Sequence, residues 1–207
     1  MNGLILVETR RLDFDPIEKH LPFLKGFEPL VFCSEYNISQ YRGKYNTVKV
    51  TVNSLDQYNQ LLTSYDFWKQ IPYEKVLICQ HDSGLLRTGI EFFYEWDYVG
   101  APWWFQKYGA NGGLSLRTVK AMQDITKHYT WTGGNEDIFF SNIIHNSNVF
   151  KLAPPETCKL FAVETVFSMG SLGYHAINKH LSDTQVNKIL NQYNNYHRYD
   201  EKVAERG

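Results

Sequence analysis

Cysteine is scarce: Cys33, Cys79 and Cys158 are an odd set with no CxxC spacing in 207 residues. Cys33 and Cys79 fall inside apolar runs, so buried free thiols in a reducing compartment are expected rather than a disulfide framework. Long hydrophobic runs are missing too, and no stretch approaches the roughly 20 apolar residues of a membrane-spanning helix. The opening Met-Asn-Gly-Leu-Ile-Leu-Val is too short, and too soon followed by charge, for a signal peptide. A cytosolic protein is expected, or a catalytic piece of a larger one. Neither sign of charge dominates: 21 Lys and Arg face 22 Asp and Glu, for a net charge of -1. There is thus no basic field to gather nucleic acid or anionic lipid. With no internal repeat, low-complexity tract or linker, residues 1–207 read as a single domain with a core of its own.

What the chain does have is aromatic residues, 15% of the total, with 14 Tyr, 13 Phe and 5 Trp. Most are expected in the core, but such rings also stack on sugars and bases. Apolar runs at Leu4–Val7, Pro29–Cys33 and Lys75–Cys79 read as strands buried on both faces. Thr47–Val52 alternates and reads as another strand, and Tyr98–Ala101 as a short one before Pro102. Ser54-Leu-Asp-Gln57 is a capping box opening a helix, with Leu55, Tyr58, Leu61, Leu62 and Tyr65 at helical spacing. Further helices are expected around Val119, Met122 and Ile125, from Asn135 to about Ile144, and from Ser182 to Val203. Strand and helix alternate in the first half, which predicts an α/β fold with a mostly parallel central sheet flanked by helices.

The polar residues collect where strands end: Glu8-Thr9-Arg10, Ser34-Glu35-Tyr36-Asn37 and Gln80-His81-Asp82-Ser83. If the strands are parallel neighbours, these clusters share one edge of the sheet, where α/β proteins bind ligands. Asp82 can hold a divalent cation and the phosphates it carries, or simply cap a turn. Thr9 and Arg10 can meet a base, ribose or phosphate. Asn111-Gly112-Gly113 is a turn signal that also permits close approach of backbone to a ligand. Trp103 and Trp104 divide between core packing and a stacking platform. Glu136 and Asp137 open a helix, where acids are favoured by the dipole, but either could also serve as a general base. His175 lies in a glycine-flanked loop and gains meaning only beside Asp82.

Taken in order, these segments resemble the GT-A-type glycosyltransferases. The matching pieces are Val7-Glu8-Thr9-Arg10, Gln80-His81-Asp82-Ser83, Tyr98–Trp103, Asn111–Arg117, Glu136–Phe140 and Gly173-Tyr174-His175. The resemblance covers about Leu4–His180 and is strongest to the chlorella virus glycosyltransferases of capsid-glycan synthesis, which would place the protein in a host cytoplasm. It implies a GT-A-like nucleotide-sugar-binding fold, a UDP-sugar donor of UDP-glucose or UDP-rhamnose type, a glycan or glycoprotein acceptor, and Mn²⁺ or Mg²⁺. The family's Asp-x-Asp is replaced here by Gln80-His81-Asp82. The resemblance therefore implies that Asp82 holds the metal with His175, while Gln80 hydrogen-bonds ribose or sugar instead. It further implies a nucleotide-sugar site of Glu8, Thr9, Arg10, Asn37, Gln80, His81, Asn111, Gly112 and Gly113, with Trp103 or Trp104 stacking on a sugar. Asp137 would be the base of an inverting transfer, Glu136 would bind a hydroxyl, and Arg10 or Arg117 would assist the leaving group. Two other classes fit the same residues: a metal-dependent nucleotidyltransferase or nucleotide-sugar hydrolase, and a non-catalytic carbohydrate-binding module.

Overall fold

The computed structural model describes residues 1–12 and 15–192. Among these residues, nine strands form two sheets. The main strands are β1 (Asn2–Glu8), β2 (Phe27–Cys33), β3 (Asn46–Lys49) and β4 (Lys75–Cys79). They are followed by β5 (Ser83–Leu85), β6 (Tyr98–Gly100), β7 (Leu114–Thr118), β8 (Ala162–Val163) and β9 (Gly173–His175). The helices are α1 (Ile38–Tyr41), α2 (Leu55–Leu62), α3 (Tyr65–Lys69), α4 (Val119–His128), α5 (Glu136–His145), α6 (Pro155–Phe161) and α7 (Ile177–His180).

Six strands make the central sheet in the order β3-β2-β1-β4-β7-β6. β1 pairs parallel with both β2 and β4, and β2 parallel with β3, while β7 runs antiparallel to both β4 and β6. The sheet is therefore mixed but mostly parallel, with β7 alone reversed. β1 sends its connection to β2 on one side and receives β4 on the other, so the order reverses between β1 and β4. Ligands of open α/β sheets lie beyond the carboxyl ends of strands at such a switch point. Leu4, Ile5 and Leu6 of β1 and Val76, Leu77 and Ile78 of β4 are at most 1% exposed. That burial on both faces explains their unbroken apolar runs.

Several elements differ from the sequence reading, each for a local reason. The third strand stops at Lys49 rather than Val52: Val50 N–H still donates to the Cys33 carbonyl at 2.8 Å, beyond which the Val52 carbonyl accepts from Thr9 Oγ1 at 2.5 Å. The helix opened by Ser54 ends at Leu62 and restarts as α3. Thr63 Oγ1 and Ser64 Oγ donate back to the carbonyls of Asn59 and Leu61, and Ser64 Oγ accepts from Phe67 N–H to cap the new helix. Ser54 Oγ does accept from Gln57 N–H at 3.1 Å, but the Gln57 side chain reaches back to Asn53 N–H, one residue before the cap. Leu114–Arg117, expected only as a lead into a helix, is a central strand. In the expected terminal helix, residues 183–192 are helical, with Val186 and Ile189 buried and Leu190 exposed; its remainder lies outside the described residues.

Behind the sheet, an aromatic layer surrounds one buried cation. Arg117 of β7 is 0% exposed, with its guanidinium carbon 4.6 Å from the Tyr98 ring centre and 5.4 Å from that of Phe140. Glu136 answers it with both carboxylate oxygens, at 2.7 and 2.8 Å, a fork-to-fork pairing suited to a buried site. Arg117 is therefore a structural residue, out of reach of a leaving group. All three cysteines are buried free thiols. Among the described residues, no helix is long and apolar enough to cross a membrane.

Candidate active site

The parallel register delivers the three polar strand ends to one edge of the central sheet, as their positions in sequence suggested. A cleft of about 170 Å³ opens there. Val7, Glu8, Thr9 and Arg10 line one wall, and Val52, Ser54, Leu55 and Tyr58 line the other, with Gln80 and His81 at its end. The Glu8 carboxylate accepts from the backbone N–H groups of Arg10 and Arg11, which fixes the loop carrying the exposed Arg10 side chain. Asn37 is used differently from the sequence expectation. It is fully buried, donates to the carbonyls of Glu8 and Arg11, and accepts from Ser34 N–H. Its polar groups are spent tying the ends of β1 and β2 together, so it shapes the cleft from behind.

His81 Nε2 lies 2.8 Å from Arg11 Nη2. A guanidinium only donates, so this imidazole nitrogen must be the acceptor and the ring is neutral. Burial, countered in part by Asp82 and reinforced by Arg11, holds its pKa below the ordinary histidine value.

At the far end of the cleft, the small sheet β5-β9-β8 does work that no short motif announces. β5 follows Asp82 directly and pairs antiparallel with β9, setting Ser83 opposite His175. The turn after β9 is closed by Ala176, the one non-glycine residue at positive φ (49°) among the described residues, whose N–H donates to the Asp82 carbonyl at 3.0 Å. Left-handed backbone at a non-glycine costs about 1 kcal/mol or more and collects at functional sites. The result is a tight polar cluster. His175 Nε2 is 3.2 Å from Asp82 Oδ1 and 3.0 Å from Gln80 Oε1, and its Nδ1 is 3.1 Å from Glu164 Oε1. Lys179 of α7 donates to Asp82 Oδ2 at 2.6 Å. Burial lowers the His175 pKa, but the hydrogen bonds to Asp82 and Glu164 outweigh it and raise the value to about 9. Burial opposes the charge on Asp82, yet His175 and Lys179 hold its carboxyl well below the usual carboxylate range.

Asp82 and His175 are donors of the kind a divalent cation takes. Asp82 Oδ1 is buried and lacks a hydrogen bond of good geometry. Neighbouring ligands of an octahedral ion with bonds of about 2.1 Å lie about 3 Å apart, close to the spacings found around His175 Nε2. Among the described residues no group of three His, Cys, Asp and Glu side chains converges, so the protein offers one carboxylate and one imidazole. Gln80, read from the sequence as a ribose or sugar contact, also turns its amide oxygen toward the same nitrogen.

The two glycines after Asn111 join this end to the acidic one. A Cβ on Gly113 would overlap the His175 ring, and one on Gly112 would overlap the Glu136 carboxylate and crowd Asp137. Their bareness serves the packing of these side chains, a use not foreseen in the sequence. Asn111 Oδ1 pins the turn by accepting from Gly113 N–H at 2.7 Å. Glu136, expected to bind a hydroxyl, is instead 4% exposed, with both oxygens occupied by Arg117. Asp137 points the other way: its Oδ2 accepts from Gly112 N–H at 3.1 Å and its Oδ1 from Ile138 N–H at 2.8 Å. Burial, with the adjacent Glu136 charge, raises its pKa to about 7. Trp103 is 7% exposed and stacks on Phe105, so it packs the loop, whereas Trp104 is 76% exposed and meets Phe105 only edge-on.

A family model described as Protein of unknown function (DUF5672) matches residues 42–176. The chain belongs to this family. The DUF5672 span includes Gln80, Asp82, Asn111–Gly113, Asp137, Glu164 and His175, so most of the assembled site lies within it. No curated protein matches the chain in sequence. In structure it is similar to the apo-form glycosyltransferase GlyE of Streptococcus pneumoniae TIGR4, at TM-score 0.51 and 12% identity, covering 88% of this chain. The chain spans only 55% of the length of that protein. It is also similar to apo mouse xyloside xylosyltransferase 1, at TM-score 0.55 and 12% identity, covering 88% of this chain and 100% of the mouse one. This member of DUF5672 therefore has the GT-A-like glycosyltransferase fold.

Proposed function

We propose that the protein is a glycosyltransferase that moves a sugar from a UDP-sugar, of UDP-glucose or UDP-rhamnose type, to a glycan hydroxyl with inversion. The observation that carries this reading is the meeting of Asp82, Gln80 and His175 beside the cleft, at the switch point of a glycosyltransferase fold. The nucleoside occupies the cleft between β1 and α2, where Thr9, Arg10, Tyr58 and Gln80 supply polar contacts between the apolar walls of Val7, Val52 and Leu55. Asp82 and His175 would hold Mn²⁺ or Mg²⁺, and the bound cation would supply Lewis-acid stabilisation of negative charge on the diphosphate. Lys179, an exposed ammonium on Asp82, is free to turn to the same diphosphate and add a second positive charge.

The sugar lies over Gly112 and Gly113, because that turn reaches the His175 ring at one end and Asp137 at the other. Asp137 takes the proton of the acceptor hydroxyl as it attacks the anomeric carbon. A carboxylate raised to about 7 is matched to that task near neutral pH. Trp104 offers a platform for the acceptor, which on this reading is a glycan or glycoprotein, in keeping with the sequence resemblance to enzymes of viral capsid-glycan synthesis. A screen of UDP-sugars for Mn²⁺-dependent UDP release, with and without glycan acceptors, tests the reading. Release that requires an acceptor and yields an inverted anomer supports it. Acceptor-independent release would favour a nucleotide-sugar hydrolase, and retention at the anomeric carbon would remove the role given to Asp137.

A further inference from the structure

Glu164 touches the Asp82–His175 pair but belongs to no motif that singles it out in the sequence. It follows β8 directly, and the parallel pairing of Val163 with Tyr174 sets it beside His175, the next residue of β9. The side chain is 4% exposed. Its Oε1 lies 3.1 Å from His175 Nδ1, and its Oε2 is buried with no hydrogen-bond partner. A buried carboxylate is costly unless its charge is compensated, and buried polar atoms are nearly always satisfied. A carboxylate serving the fold alone would be expected to use both oxygens. Here the close contact is a single imidazole nitrogen, with His180 Nε2 farther away at 3.9 Å.

An imidazole has two nitrogens, and the hydrogen bond made by one decides what the other can do. Nδ1 faces a carboxylate oxygen, so it bears a proton. Nε2 faces Gln80 Oε1 and Asp82 Oδ1, which are both acceptors. With the Nδ1 proton held by Glu164, Nε2 is the nitrogen a cation can take: the proton that Gln80 and Asp82 face there without metal leaves to solvent as the ion binds, and the ring cannot turn without breaking the Glu164 bond. We infer that Glu164 is a positioning residue that fixes the tautomer and orientation of His175, so that Nε2 binds a divalent cation together with Asp82. The inference rests on the reading of that pair as the metal-holding end of the site.

The test is direct Mn²⁺ binding, read from the electron paramagnetic resonance of free Mn²⁺ with UDP present. It uses the full chain near neutral pH, as wild type, Glu164→Gln, His175→Ala and the double variant. Glu164→Gln should weaken Mn²⁺ binding by about tenfold to a hundredfold. The double variant should bind no more weakly than His175→Ala, because Glu164 acts only through that ring. His180→Ala should stay within about twofold of wild type. Glu164→Asp, which keeps the charge but shortens the reach, should fall between Glu164→Gln and wild type, and it serves if Glu164→Gln folds poorly. A readout without metal is the His175 Nδ1 proton, which should give a downfield hydrogen-bonded signal in wild type that disappears in Glu164→Ala. An unchanged Mn²⁺ affinity in Glu164→Gln, or an equal further loss in the His175→Ala background, would overturn the inference. Wild-type protein that binds no Mn²⁺ although the ring proton behaves as stated would overturn the metal reading itself. Normal Mn²⁺ binding with a ring proton that persists in Glu164→Ala would overturn the Glu164 role alone.

Discussion

Glu136→Gln separates a structural acid from a catalytic one at adjacent positions. In the wild type, the Arg117 guanidinium has no exposure to solvent, and the Glu136 carboxylate is its only charged partner among the described residues. Removing that charge leaves a buried cation with Ser115 Oγ, Tyr98 Oη and three aromatic faces. Breaking a buried ion pair from one side costs about 3–5 kcal/mol. The glutamine can still accept one of the two bonds, which puts the expected loss near the lower figure. For a chain of this size 1 kcal/mol shifts Tm by about 2–4 °C, so thermal unfolding should fall by roughly 10 °C. The double variant Arg117→Met, Glu136→Leu removes both charges and should regain most of that loss. Glu136→Gln should also lower the Asp137 pKa, moving the rising limb of activity to lower pH while leaving turnover by the folded fraction largely intact. A Tm within about 2 °C of wild type with turnover reduced a hundredfold would refute this reasoning and return Glu136 to the ligand.

Other variants probe the remaining parts of the site. Asp137→Asn should lose about 10²–10⁴-fold in transfer rate, while wild-type kcat/KM should rise with pH through about 7 as the carboxyl ionises. The stability linkage has a defined sign. The folded pKa lies above the ordinary value of 3.8, so this carboxyl favours the fold fully below that value and loses its contribution as pH rises through about 7. Chemical denaturation should therefore show Asp137→Asn gaining on wild type between acidic and mildly alkaline pH. Gly113→Ala drives a methyl into the His175 ring and should weaken Mn²⁺ binding at least about tenfold by titration calorimetry, with circular dichroism preserved. Gln80→Glu is isosteric and adds a carboxylate facing His175 Nε2. It should tighten Mn²⁺ binding, and an unchanged or weaker affinity would show that residue 80 stays outside the metal's reach.

How much of this was legible in the sequence depended on range. β1 and β4 were legible because burial on both faces writes an unbroken apolar run. Ser54 was legible because a cap and its glutamine lie three residues apart. Asp82 and His175 stood out only through order and resemblance, since they lie 93 positions apart and come together only through the pairing of β5 with β9. β5, β8 and β9 are two or three residues long, too short for any period to show. β7 was missed as a strand although Leu114, Ser115, Leu116 and Arg117 alternate, because so short a run between the Asn111-Gly112-Gly113 turn and the helix at Val119 reads equally as a lead into that helix. Glu164 takes its meaning from the pairing of Val163 with Tyr174, and no local pattern encodes that. Asn37 and Glu136 were over-read for the opposite reason. A polar side chain at a strand end or helix start looks ligand-facing until its partners inside the chain, the Glu8 and Arg11 carbonyls and the Arg117 guanidinium, are located.

Titration of UDP into the protein with and without Mn²⁺, repeated on Asp82→Ala, tests the central claim most directly. The account predicts UDP binding that depends on Mn²⁺ in the wild type and largely disappears in Asp82→Ala, with the variant's fold intact. UDP binding of equal strength without Mn²⁺, or unchanged metal-dependent binding in Asp82→Ala, would contradict it.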